Sequence, residues 1–234
     1  MAELIDPIGM SLRIILECEE EGVPPIGARL AQRLGRSAPT VSRMIERMTR
    51  DGLVVIDARR RLELTVAGRR RATSVLRKHR LAEVLLVREL GVPYEQAHAE
   101  ADRFQHALTD RAESLLYDRL GRPALSPYGN PIPGLSGLGG PRSSRRRPRG
   151  EHPLADADHP GRAVVTRIAE SAQEDAELLS ALRAGRDVEF RPASDGVLVT
   201  AAGAEVRLPY AVARGIHVVE AARPSVRKAA RTGV

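Results

Sequence analysis

The sequence predicts a multi-domain, mainly α protein: a winged helix-turn-helix, a second all-helical unit, and a third, β-rich unit beyond a linker. Three observations predict it. Residues 1–50 hold three apolar stripes at helical period, and two short β-prone runs around a basic turn follow them. A second set of three helical segments then occupies residues 66–120, punctuated by Gly91, Pro93 and Thr109. After residue 137 the chain turns rich in Gly, Pro, Ser and Arg, and β-type runs dominate beyond it.

The first helix is expected from about Asp6 to Glu20, with Met10, Ile14, Ile15 and Cys18 on its apolar side and Gly22 as its stop. A second follows Pro25, with Ile26, Leu30, Ala31 and Leu34 as its buried stripe, and ends at Gly35. Ser37 caps a third, and Pro39 sits in the first turn, where its missing N–H costs nothing. That helix buries Val41, Met44, Ile45 and Met48 and ends at Asp51-Gly52. The runs Leu53–Ile56 and Leu62–Thr65 flank Asp57–Arg61 and read as a hairpin, which completes a winged helix-turn-helix over residues 1–65.

A long helix over residues 66–90 comes next, then one opened by Pro93 and running through Glu95, His98, Asp102 and His106. Thr109-Asp110 caps a third that carries Leu115, Leu116 and Leu120. These helices form a unit over 66–136 that offers a dimerisation surface, and 126–134 is turn-rich and rigid. Residues 137–161 read as a flexible linker. The third unit, 162–221, holds the β runs Ala163–Val165, Val188–Phe190, Val197–Val199 and Val206–Leu208, with Asp195-Gly196 as a hairpin signal and a short helix over about 173–182. Residues 222–234 form a basic tail with no expected structure.

Composition narrows the class of protein. Aromatic residues are 3% of the chain and Trp is absent, so the cores must rest on Leu, Val, Ile and Ala. The formal net charge is +7, nearly all of the positive charge comes from Arg, and this suits a polyanion such as nucleic acid. A single cysteine, Cys18, rules out an intramolecular disulfide and a cysteine-based zinc cluster. No signal-like run and no membrane-length apolar stretch is present, so a reduced, cytoplasmic protein with no membrane partner is expected.

Two constellations carry chemistry. Ser37, Pro39, Thr40, Ser42 and Arg43 open the third helix, whose first turn enters the major groove in helix-turn-helix proteins. Arg29, Arg47, Arg50 and Arg60 surround it as candidate phosphate contacts, which position a protein on DNA without specifying sequence. Further on, His79 and Glu83 stand four residues apart, and His98, Asp102, Gln105 and His106 follow at helical spacing, so each group offers donor atoms to one patch. From the residues alone, such a patch is either a metal site or a hydrogen-bonded polar cluster between helices.

Five segments decide between these readings: Glu19–Pro25, Pro39–Ser42, Arg50–Val54, Arg77–Glu83 and Ser126–Gly134. Through them the chain resembles the diphtheria toxin repressor and iron-dependent regulator family of metal-activated repressors, over nearly its whole length. The resemblance implies an SH3-like β-barrel as the third domain and two metal sites per subunit. For the ancillary site it implies His79, Glu83 and His98 from the helical domain, with Glu170 and Gln173 from the third. Arg80, Ser126 and Asn130 match residues that hold an anion beside that metal.

For the primary site the family supplies a Met sulfur, a Cys, a Glu and a His. Here Met10 and His106 match, but Asp102 stands in place of the Cys and Gln105 in place of the Glu. The set loses softness and one negative charge. That weakens divalent binding and tilts it from Fe²⁺ toward Mn²⁺ or Zn²⁺, or leaves the site inert. At the DNA, family members typically carry Gln where this chain has Arg43, and Arg favours guanine where Gln favours adenine.

The resemblance thus implies a homodimeric repressor, not an enzyme, that binds a palindromic double-stranded operator of metal-homeostasis genes under control of Fe²⁺ or Mn²⁺, with Zn²⁺, Co²⁺ or Ni²⁺ as stand-ins in vitro. A manganese-selective form and a metal-independent form with an impaired primary site are its variants. A di-metal hydrolase is the rival from another class. It would need an open coordination position, a pocket and a general base, whereas the sequence provides a protein-saturated ancillary site and a DNA-reading module, so no small organic substrate is expected.

Overall fold

Pro7 opens the first helix and Gly22, at φ +69°, closes it, so α1 spans Pro7–Glu21. The computed structural model describes residues 6–141 and 148–221; the basic tail and the run 142–147 lie outside them. Helices α2 (Gly27–Leu34) and α3 (Ala38–Arg50) follow, then the hairpin of β1 (Val54–Ile56) and β2 (Leu62–Leu64), paired with Val54 opposite Leu64. Leu12, Ile15, Leu30, Val41, Met48, Val54 and Leu62 fill the core of this winged helix-turn-helix.

That core is completed from outside. The next helix, α4 (Val66–Arg88), contributes Ala72 and Leu76 to it, so the DNA-reading unit is seated on the helix that begins the second unit. The seat is close. Gly68 lies where a Cβ would come within 1.9 Å of the Leu53 carbonyl oxygen, and the Thr65 hydroxyl caps the helix by accepting from Gly68 N at 3.0 Å.

Further along, α4 turns Ala82 and Leu86 toward Ala97 and Ala101 of α5 (Tyr94–Phe104). It turns Leu81 and Val84 toward Tyr117 of α6 (Asp110–Arg119) and toward Ile132 and Leu135. His79, Arg80 and Glu83 therefore fall in the middle of a helix walled by three cores. Helix α5 ends earlier than its stripe suggested: Gln105–Ala107 form a 3-10 turn, so Gln105 and His106 leave the α-helical face that carries His98 and Asp102.

The third unit is the expected SH3-like β domain, a six-stranded antiparallel sheet. Its strands are β3 (His152–Pro153), β4 (Gly161–Ile168), β5 (Asp187–Ala193), β6 (Gly196–Ala201), β7 (Ala204–Pro209) and β8 (Ile216–Glu220), in the order β3-β8-β4-β5-β6-β7. Short helices α7 (Ala176–Ala181) and α8 (Tyr210–Ala213) cover its core. All four expected β runs are strands.

Two readings need correction. The linker expected over 137–161 is shorter, because His152 and Pro153 pair with β8 and Leu154 is fully buried in the third core. Few apolar residues mark that stretch, and one of them does the anchoring. Strand β8 itself was not expected. It pairs with β4 across five positions, and its Ile216 and Val218 are fully buried.

The turn-rich segment before the linker docks the third unit onto the helical one. Tyr128 and Tyr94 both join the third core. Ile168 N donates to the Tyr128 carbonyl at 2.9 Å, and Asn130 Nδ2 donates to the Ile168 carbonyl at 2.6 Å. Gly129, at φ +82°, passes so close to β4 that a Cβ would stand 2.0 Å from Thr166 O. Among the described residues no helix is long and apolar enough to cross a membrane.

Candidate metal centre and DNA-reading surface

Three side chains from α4 and α5 converge where those helices cross. His79 Nε2 lies 2.9 Å from Glu83 Oε1 and 3.1 Å from His98 Nδ1, and His98 Nδ1 lies 3.2 Å from Glu83 Oε1. All three residues are buried, His79 and Glu83 completely. Donor atoms held about 2.1 Å from one ion stand roughly 3.0–3.4 Å apart by simple geometry, so the triangle has the size of a coordination set. Helical spacing supplies the first edge, since His79 and Glu83 are one turn apart. The second helix is fixed by Tyr128, whose hydroxyl accepts from His98 N at 3.1 Å and donates to the Tyr94 carbonyl at 2.6 Å.

The electrostatics of the centre follow from this crowding. Burial and the neighbouring Arg13 push the His79 imidazolium down, but Glu83 and Asp102 outweigh them and carry its pKa up to about 9. Burial raises Glu83, yet His79 and His98 hold its carboxyl down at about 2. A proton on His79 thus does the work a cation would do between carboxylates. Among the described residues, the buried side-chain oxygens without a hydrogen-bond partner include Glu83 Oε2 and Gln173 Oε1. An unpartnered carboxylate oxygen on a buried His/Glu triangle fits a cation-binding role.

Glu170 and Gln173, the expected contributions of the third unit, are both buried at the end of β4 and in the turn after it. Gln173 Nε2 donates to the Ile168 carbonyl, which leaves its oxygen free to accept. Glu170 is engaged by Arg80, whose Nε and Nη2 reach its Oε1 at 2.7 and 2.6 Å. The same guanidinium holds Glu20 of α1 at 2.5 Å and the Pro131 carbonyl. Burial opposes ionisation of Glu170, but Arg80 wins and lowers its pKa. Arg80, Ser126 and Asn130 were expected to hold an anion. Arg80 is instead neutralised by two carboxylates of the chain, Ser126 Oγ accepts from Tyr128 N, and Asn130 Nδ2 is spent on Ile168.

The expected primary site looks different. Met10, Asp102 and Gln105 do meet, but around a residue that pattern reading missed. Arg13 of α1 is buried, and its Nη1 lies 2.5 Å from Asp102 Oδ1 and 3.3 Å from Gln105 Oε1, while its Nε lies 2.8 Å from Glu17 Oε1. The Met10 sulfur takes the Gln105 amide at 3.3 Å. His106 is half-buried and, among the described residues, makes no hydrogen bond or ion pair; burial and Arg13 lower its pKa. His79 Nδ1 approaches both Arg13 Nη1 (2.9 Å) and Asp102 Oδ1 (3.2 Å). A guanidinium has only donors, so the imidazolium proton goes to Asp102 and not to Arg13. Burial raises Asp102, but Arg13 and His79 together hold it far below the usual carboxylate range. The one available signal for Arg13 was its i,i+4 spacing from Glu17, inside the apolar run of α1.

At the start and along the outer side of α3, Ser37, Pro39, Ser42, Arg43, Arg47 and Arg50 are exposed and Thr40 is half-buried. Ser37 Oγ and Thr40 Oγ1 lie 2.9 Å apart at the start of α3. Arg60 is exposed at the tip of the hairpin with φ +60°, and Arg29 is tied to the Pro24 carbonyl. A cleft of about 570 Å³ runs from this face to Met10 and Asp102, with Arg36, Arg43 and Arg47 along it.

Residues 3–62 match the sequence model of the iron-dependent repressor N-terminal DNA-binding domain, and residues 65–134 match that of the iron-dependent repressor metal-binding and dimerisation domain. The iron-dependent repressor IdeR of Mycobacterium leprae is 41% identical over 230 residues, covering 93% of this chain and 99% of the relative. The chain belongs to the iron-dependent repressor family. The diphtheria toxin repressor of Corynebacterium diphtheriae is 40% identical over 225 residues, covering 94% of this chain and all of that one. Among solved structures, the manganese regulator SloR superposes with a TM-score of 0.75 at 26% identity, covering 92% of this chain and 98% of SloR. IdeR of T. acidophilum superposes at 0.72 and 25% identity, covering 93% and 99%. Family membership, a winged DNA-binding unit and the absence of an enzymatic role in the family agree with the expectation from sequence.

Proposed function

We propose that the chain is a metal-dependent transcriptional repressor that binds a palindromic operator as a homodimer and controls metal-homeostasis genes in the cytoplasm. The buried His79–Glu83–His98 triangle, with Glu83 Oε2 left unpaired, carries the reading. His79, Glu83 and His98 would hold the ion, and Gln173 and Glu170 are the candidates to complete the set from the third unit. Two nitrogens and carboxylate or amide oxygens suit Fe²⁺, Mn²⁺ or Zn²⁺ rather than a soft-ligand site. The ion would supply fixed positive charge where the metal-free protein holds a proton on His79.

The exposed face of α3 and its arginines support DNA as the partner, with Arg43 as the base-reading side chain. Leu115 of α6 and Phe104 of α5 are exposed apolar residues on the helical unit and fit a surface covered by a second subunit. Relatives respond to different ions: IdeR is by name an iron-dependent repressor and SloR a manganese regulator. The test is a gel-shift titration on an operator with chelator, Fe²⁺ or Mn²⁺. Specific binding should appear with an ion and vanish in chelator, and the ion effective at the lower concentration is the physiological candidate. Undiminished binding in chelator would sink the metal dependence.

A further inference from the structure

We propose that this chain carries one regulatory metal per subunit because the Arg13 guanidinium fills the second metal position of its family, with Asp102 anchoring that guanidinium and orienting His79 at the remaining centre. The inference rests on the metal reading above and changes what the residues around Met10 do.

Three of the four donors expected at this position, Met10, Asp102 and Gln105, are already engaged. Arg13 Nη1 stands where a cation would, within hydrogen-bond distance of Asp102 Oδ1 (2.5 Å) and Gln105 Oε1 (3.3 Å). Gln105 Nε2 faces the Met10 sulfur (3.3 Å) and the Asp102 carbonyl (3.0 Å). The amide therefore turns its donor, not its acceptor, toward the soft ligand. An ion placed among these groups would sit against a buried guanidinium that cannot withdraw without also leaving Glu17 at 2.8 Å. The charges agree: Asp and Gln in place of Cys and Glu leave one formal negative charge, which a guanidinium balances and a divalent ion exceeds. His106 remains outside the arrangement.

Asp102 has a second task. Its Oδ1 is 3.2 Å from His79 Nδ1, on the ring edge opposite the Nε2 that faces Glu83 and His98. A carboxylate on the distal nitrogen fixes the tautomer and orientation of a ligating histidine, and loss of such a partner weakens metal affinity roughly 10–100-fold. Asp102 is thus a positioning residue for His79, and it joins the metal centre to α1 through Arg13.

The test is equilibrium dialysis of the full-length protein against Mn²⁺, with ions per subunit counted by atomic emission. Wild type should hold one ion, His79→Ala none, and Met10→Ala one ion at unchanged affinity. Asp102→Asn should keep the single site with affinity reduced roughly 10–100-fold, and Asp102→Glu should recover part of the loss. Two ions in wild type, with one lost on Met10→Ala, would overturn the proposal. Unchanged affinity in Asp102→Asn would overturn the orienting role, a result independent of how Met10→Ala behaves. No ion in wild type would overturn the metal reading itself, which separates the two failures.

Discussion

Replacing Arg13 by Met tests how α1 is held to the helical unit. The side chain is 5% exposed and contacts Glu17, itself 2% exposed, and Asp102, at 35%. Removing one partner of a buried ion pair leaves the other charge uncompensated and costs roughly 3–5 kcal/mol. Asp102→Asn removes less. Arg13 keeps Glu17, and Asp102 is partly solvated, so the loss is that of one charge-assisted hydrogen bond, at or below the low end of roughly 1.5–3 kcal/mol. The three cores need not open together, so a global unfolding midpoint would blur this difference. Native-state hydrogen exchange of the α1 amides in chelator reads it locally. At about 1.4 kcal/mol per tenfold, Arg13→Met should speed exchange across α1 by two to nearly four powers of ten, and Asp102→Asn by about one. Less than a tenfold change in Arg13→Met, or a larger one in Asp102→Asn, would refute the tether.

Arg43→Gln should shift operator preference from guanine toward adenine at one position per half-site, by roughly 1–3 kcal/mol in competition gel shifts across operator variants; equal losses at every position would make Arg43 a phosphate contact. His79 must shed its Nε2 proton to ligate, and its pKa is raised to about 9. The apparent Mn²⁺ affinity should therefore fall about tenfold per pH unit as pH drops from 8.5 to 6.5, while Glu83 and Asp102 stay ionised; a flat profile would exclude His79 as a proton-bearing ligand. Gly129→Ala forces a Cβ to within 2.0 Å of Thr166 O at φ +82°. Strain of roughly 1–3 kcal/mol should appear as lost exchange protection at Ile168 N–H, which donates to Tyr128 O. Glu20→Gln should leave Mn²⁺ stoichiometry unchanged and reduce the ratio of operator affinities with and without Mn²⁺; an unchanged ratio would remove Arg80–Glu20 from the coupling.

Local pattern made the first two units legible. Gly22 and Gly35 end helices as left-handed caps, Thr65 and Thr109 cap by side chain, and the winged hairpin forms where two short apolar runs flank a polar turn. His79 and Glu83 were legible for the same reason, since one helical turn separates them. What the sequence hid depends on contacts between distant segments. Strand β8 is short, and its polar His217 breaks the apolar run, so only pairing with β4 identifies it. Arg13 sits 66 residues from His79 and 89 from Asp102, and no local period connects them. Gln105 and His106 were read along a helix that in fact tightens into a 3-10 turn, which changes the direction of both side chains.

A permanent charge and a removable one cannot play the same part. A ligand shifts an equilibrium only by its difference in affinity for the two states, and a covalently attached guanidinium has no concentration to vary. Arg13 therefore sets the resting seat of α1 on α5, and variation must enter at His79, Glu83 and His98. Two chains of contacts lead from that centre back to α1. One runs through Asp102 to Arg13. The other runs from Glu170 through Arg80 to Glu20. Glu170 and Glu20 share one guanidinium, so any demand on Glu170 from the centre leaves Arg80 more fully to Glu20. Both routes end on the same helix, seven residues apart, and that helix packs on the unit that carries Arg43. The recognition helix is thus linked through α1 to the His79–Glu83–His98 cluster by ion pairs that each have at least one buried partner, which limits screening by salt.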